Sequence, residues 1–194
     1  SSFNTTSVDV IGSMFAGCTN LTTIKVGTGW SVSRNSLVNN ENVFLGDKKL
    51  IGDKGTLYKS NITSDCGYAR IDGGTSNPGY LTTGDYKIFY KWSDDDAEAE
   101  YHDYEPSTYS YSSTEAVTIP NPTTRPNTGA KFLYWTRLIS ADEESSSSEN
   151  LQIAAKEEGN RVYVMHWAVP YAELSSDQKT LTFKNGEKPT SGTV

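Results

Sequence analysis

Apolar positions recur along this chain with two different spacings, and each spacing predicts a different element. Val8, Ile11, Met14 and Phe15 stand three and four apart, as on one face of a helix. Leu21, Ile24 and Val26 follow as the apolar members of a short strand, Leu21–Val26. The segment Met14–Leu21 then realigns with Val43–Leu50 at an offset of 29 residues. Phe, Gly and Leu fall on identical internal positions, and an apolar residue precedes each Phe. Helix, turn and strand within one such period make a solenoid coil, which buries its apolar face only by stacking on a neighbour. In the second copy Asp47 replaces Cys18, and the strand after Leu50 dissolves into Ile51–Gly55. That change suits a terminal coil, where a polar face closes the stack.

Beyond Gly84 and Asp85 the helical spacing gives way to strand-like runs. Tyr86–Trp92 is rich in aromatic and β-branched residues and precedes an acidic stretch from Ser93 to Glu105. Ala116–Pro120 reads as a strand stopped by proline, and Pro120, Pro122 and Pro126 make the next stretch an extended loop. Lys131–Thr136 places Phe132 and Tyr134 on one face and Leu133 and Trp135 on the other. The Asp142–Glu149 stretch is too polar for a core, and Leu151, Ile153 and Ala154 lead to a last strand, Arg161–Trp167. In the tail, Thr180–Phe183 alternates as a strand should, and Lys184–Val194 is turn-rich.

The string "MFAGCTNLTTIKV" resembles the BspA-like leucine-rich repeats of bacterial surface proteins, and "GTLYKS" with Tyr68–Thr82 looks like the segment that closes such arrays. "VTIPNPTTRPNTGAKFLYW" and "RVYVMHWA" resemble a B-repeat of the internalin type, although Tyr134 stands where that family has Gly, and Asp94, Asp95 and Asp96 replace its Gly-rich turn. "ELSSDQKTLTF" is similar to the opening of a further BspA-type segment, which implies a protein that continues past Val194. The resemblances imply an α+β, strand-rich fold. A short leucine-rich repeat solenoid with its cap would occupy residues 1–83 and a small β-grasp-like sheet residues 84–170. A strand-forming tail, or the start of a further repeat segment, would occupy 171–194. They also imply an extracellular protein, secreted or held at a bacterial cell surface, working in adhesion or host contact.

Composition narrows the partners. Seventeen basic against 24 acidic residues give a net charge of −7, which disfavours nucleic acid and anionic membrane surfaces as partners. No apolar run is long enough to span a bilayer. Two cysteines, Cys18 and Cys66, are too few for a disulfide framework, and Cys18 lies in an apolar pattern, so both are expected unpaired.

Catalytic chemistry lacks its parts. Neither His102 nor His166 has a second His or a Cys three or four residues away as a zinc site expects, and no nucleophile elbow or phosphate-binding loop occurs. A calcium loop counted from Asp94 has Glu105 at its twelfth position but Ala99 where the sixth needs Gly, so a hydrated acidic loop is expected. No catalytic residue, metal or cofactor is therefore assigned. The remaining candidates are aromatic: Trp92, Tyr101, Tyr104, Tyr109 and Tyr111, a possible recognition surface for a host or matrix protein or a glycan. A structural spacer without a ligand, and a carbohydrate-binding accessory module, are the alternatives.

Overall fold

The computed structural model describes residues 5, 7–27, 29–32, 40–62, 65–93, 96–97, 100–125, 130–140 and 143–186. They form eleven short strands in several small sheets, with one 3-10 turn at Asp65–Tyr68 and no α-helix. The α+β expectation is thereby overturned, and with it the helix-bearing leucine-rich repeat solenoid.

Hydrogen-bond competition explains the missing helix. Around Val8–Phe15, turn bonds such as Met14 N to Ile11 O (3.0 Å) alternate with bonds to the second copy: Ser13 N to Glu41 O, Phe15 N to Val43 O and Gly17 N to Leu45 O, at 2.8–3.2 Å. An amide given to a neighbouring coil is lost to the carbonyl four residues back. Ser13 and Gly17 also take positive φ, which no helix admits. The two copies thus stack directly, with Phe15 and Phe44 ring on ring at 5.5 Å and 8°. Buried side chains cap the turns: Asn40 Oδ1 accepts from Ile11 N and Gly12 N, and the Asp65 carboxylate from Val43 N and Phe44 N. Strand β1 (Ile24–Lys25) pairs in parallel with β2 (Leu81–Thr82) over a core of Ile11, Val43, Phe44, Leu50 and Tyr80.

Asp47 is fully buried here, and neither of its oxygens makes a well-formed hydrogen bond. Burial pushes its carboxyl up to about 6; the Cys18 backbone opposes this and the Asp65 charge adds to it. A raised acid costs nothing while it is protonated in both folded and unfolded chains, and destabilises increasingly as pH climbs from about 4 to 6. Asp47→Asn should therefore stabilise the chain by about 2 kcal/mol near pH 7 and by nothing below pH 4. Urea unfolding across that range checks the sign. Cys18, the equivalent position in the first coil, is exposed rather than buried, and no disulfide joins it to Cys66.

The second half builds a five-stranded mixed sheet in the order β4-β3-β9-β6-β7. Its strands are β3 (Tyr86–Lys91), β4 (Thr108–Tyr109), β6 (Phe132–Ser140), β7 (Glu143–Glu144) and β9 (Arg161–Trp167). β3 runs parallel to β9, while β6 lies antiparallel on the other side of β9. A separate ladder, β5 (Val117–Ile119) with β8 (Leu151–Ile153), brings Ile119 and Ile153 into the core of one sheet face, among Tyr90, Trp135, Tyr163 and Met165. The opposite face carries Leu138, Val162, Val164 and Phe89 against Ile51 and Leu57 of the first half. The tail is a hairpin of β10 (Val169–Leu174) and β11 (Leu181–Gly186), a two-stranded sheet of its own.

Asn160 locks the seam between the halves. Its Nδ2 donates to Ile51 O, Gly52 O and Thr82 Oγ1 at 2.9–3.1 Å, its Oδ1 accepts from Lys87 N, and its own N donates to Thr23 Oγ1. Gly159 beside it has φ 93°, and a Cβ there would lie 2.2 Å from Thr22 Oγ1. Tyr101 closes the other end by donating from its hydroxyl to Gly55 O at 2.6 Å.

Candidate functional site

A cleft of about 420 Å³ opens where the turn at Asp53 and Lys54 faces β3 and the loop 101–108. β-strand alternation turns Tyr86, Ile88 and Tyr90 into the core and leaves Lys87 and Phe89 on the other face. Chain direction is held by Ile88 N donating to Ser107 O and His102 N to Tyr90 O, so residues 103–106 arch away from the strand between these two points.

The five aromatic candidates do not converge. Tyr101 and Tyr104 line the cleft; Trp92, Tyr109 and Tyr111 do not. Tyr101 packs on Phe89 at 4.9 Å with its hydroxyl spent on Gly55 O. Tyr104 lies edge-on to Tyr90 and donates to Pro120 O at 2.7 Å. Burial raises the phenols of Tyr90 and Tyr104 above the ordinary range, so both stay protonated donors at neutral pH. Trp92 packs on His102, donates from its backbone N to Asp96 Oδ2, and accepts Trp167 Nε1 on its carbonyl. Tyr109 is buried and donates to Gly159 O while accepting from Arg161 Nε. Tyr111 alone is widely exposed, with Lys156 Nζ 5.6 Å from its ring.

What sequence reasoning missed is the charged part of the cleft. Asp53 is anchored by Thr82 Oγ1 and Thr83 N, and Glu105 by Ser107. Lys54, Lys87 and Asp103 point no charged group at any described residue, and all three line the cleft. Alternation in β3 was a readable signal for Lys87; the approach of Asp53 and Lys54 depends on the seam and left no local trace.

Both histidines are held by internal contacts, and His102 lines the cleft. His102 Nε2 lies 3.2 Å from Asp96 Oδ2, which also accepts from Trp92 N and Ser93 N, and His166 Nε2 sits 2.9 Å from Thr136 Oγ1 under a stacked Tyr134. Among the described residues no three potential ligands cluster as a metal site. The calcium-loop candidates Asp94, Asp95 and Glu98 lie outside the described residues. No helix among the described residues is long and apolar enough to cross a membrane. Comparison with protein-family models, with curated proteins and with solved structures gave no match to this chain.

Proposed function

We propose that this chain is a non-catalytic binding module of an extracellular bacterial surface protein, and that it holds a protein or glycan ligand in the cleft between Lys54 and the loop 101–108. The observation carrying this reading is the division of labour inside the cleft. Its tyrosines are fixed by internal hydrogen bonds, whereas Lys54, Lys87 and Asp103 make no side-chain bond to a described residue. Rigid apolar walls with a few uncommitted polar groups are what a recognition site needs, because little side-chain entropy is lost on binding.

Screening the intact chain on a glycan and extracellular-matrix array tests the reading. The comparison variant is Lys54→Glu/Lys87→Glu, since substituting Tyr101 or Tyr104 would remove structural bonds as well as any contact. Wild-type binding that falls at least about 10-fold in the double variant, with an unchanged circular dichroism spectrum, supports the cleft; that fall corresponds to about 1.4 kcal/mol. A rigid spacer is the second reading, favoured by the buried joint at Asn160. Binding to nothing on the array, or binding indifferent to the two lysines, would favour it.

A further inference from the structure

Two arginines share the core-facing side of the sheet, away from the cleft. Arg137 on β6 stands opposite Tyr163 on β9, and Arg161 lies two residues from Tyr163 along the same strand. Residues two apart share a face, so the arginines are diagonal cross-strand neighbours on either side of Tyr163. Diagonal neighbours lie roughly 7–8 Å apart at the backbone, within reach of long side chains.

Arg161 is well held. It is 6% exposed, donates from Nε to the Tyr109 hydroxyl at 2.9 Å, and from Nη2 to Glu157 at 2.7 Å. Arg137 is not. Its Nε is buried without a hydrogen-bond partner, and its polar contacts to the protein are backbone ones, with Ser145. The carboxylate facing the pair among the described residues is Glu157, which Arg161 already engages and whose side chain is 50% exposed. Two guanidiniums thus face one half-solvated acid inside a chain of net charge −7. A buried lysine or histidine would shed its proton in that position; a guanidinium keeps it at any ordinary pH, so the excess charge persists. Burial and the neighbouring Arg161 both disfavour the charged form of Arg137. The adjoining Tyr109 and Tyr163 phenols are raised by burial and stay protonated, so they supply no negative charge.

We propose that Arg137 and Arg161 form an oxyanion-binding site that takes a sulfate or phosphate group, either as the free ion or as the ester of a saccharide. The guanidinium fork matches two oxygens of such a group at once, and the Nε of Arg137 has no hydrogen-bond partner among the described residues. This site is independent of the cleft, whose lining includes neither arginine.

Thermal unfolding of the intact chain, followed by circular dichroism at matched ionic strength, tests it with sodium sulfate, sodium phosphate and glucose 6-sulfate against sodium chloride. A saturable rise in Tm of about 3–5 °C at ten times Kd is expected, and it should vanish in Arg137→Met. The resonance of the Arg137 Nε–H group in wild-type protein gives a second readout that needs no variant; it should move with the same midpoint. An ester acting at least ten times lower in concentration than free sulfate identifies a saccharide source, and equal potency identifies the free ion. A rise that never saturates and persists in Arg137→Met is the general salting effect of sulfate and overturns the proposal. An Nε–H resonance that does not move overturns it equally.

Discussion

Replacing Asp72 by Ala is expected to destabilise the chain by about 4–6 kcal/mol, the largest loss of any single substitution considered. The Asp72 carboxylate is buried and accepts five hydrogen bonds. Lys54 N, Thr56 N, Gly74 N and Gly79 N donate from the backbone and Thr56 Oγ1 from a side chain, at 2.8–3.2 Å. It thereby ties the turn at 52–56 to the loop at 72–79. Alanine would leave these donors buried without an acceptor, and each such group costs about 1–3 kcal/mol. The glycines around it show how closely the loops approach: a Cβ on Gly52 would lie 2.3 Å from Gly79 O and 2.5 Å from Asp72 Oδ2. Urea denaturation measures the loss, with Asp72→Asn as the milder control that keeps one acceptor oxygen. Because Lys54 lies on the tethered turn, the cleft should be disordered together with the loop 72–79. A midpoint shift worth less than about 1 kcal/mol would show that solvent satisfies these amides and that the carboxylate is dispensable.

Asn160→Asp should cost about 3–5 kcal/mol and separate the unfolding of the two halves. The amide is fully buried and its Nδ2 donates to two carbonyls and a hydroxyl of the first half. A carboxylate presents acceptors to those acceptors and places an unpaired charge in the seam. Asn160→Ala removes the bonds without adding charge, so it should lose somewhat less, about 2–4 kcal/mol. Calorimetry of the wild type should show one cooperative transition, and both variants should broaden or split it. A single sharp transition in Asn160→Asp would mean that the apolar contacts of Ile51 and Leu57 with Leu138, Val162 and Val164 hold the seam by themselves.

Much of the strand framework was legible in advance. Runs of β-branched and aromatic residues gave Tyr86–Lys91, Val117–Ile119 and Arg161–Trp167 nearly to the residue, because such side chains fit a pleated surface wherever it is placed. Leu181–Gly186 was anticipated in the same way, as Thr180–Phe183. Five strands escaped notice: Leu81–Thr82, Thr108–Tyr109, Glu143–Glu144, Leu151–Ile153 and Val169–Leu174. Thr108–Tyr109 is only a short pairing at the edge of β3, and Val169–Leu174 contains Pro170, which argues against a strand unless it lies at an edge. The helical spacing of Val8, Ile11, Met14 and Phe15 misled because the same apolar residues can face a neighbouring coil from successive turns. The competing amide acceptors lie 28 residues away, beyond the reach of any local pattern.

The candidate site was less visible than the fold. Clustering of tyrosines in sequence suggested one surface, yet Tyr109 is core and Trp92 serves the Asp96 network, so two of the five aromatics line the cleft. Side-chain type reports what a residue can do; burial and hydrogen-bond partners decide what it does. By itself the sequence determined the 29-residue register between the coils, most strand positions and the inward face of β3, since these depend on residues close in the chain or on a repeated pattern. The tertiary structure alone decided that the first half has no helix, that Asp53 and Lys54 meet β3, and that Arg137 lies beside Arg161. Each of these rests on a partner far away in sequence, brought near when apolar faces are buried together.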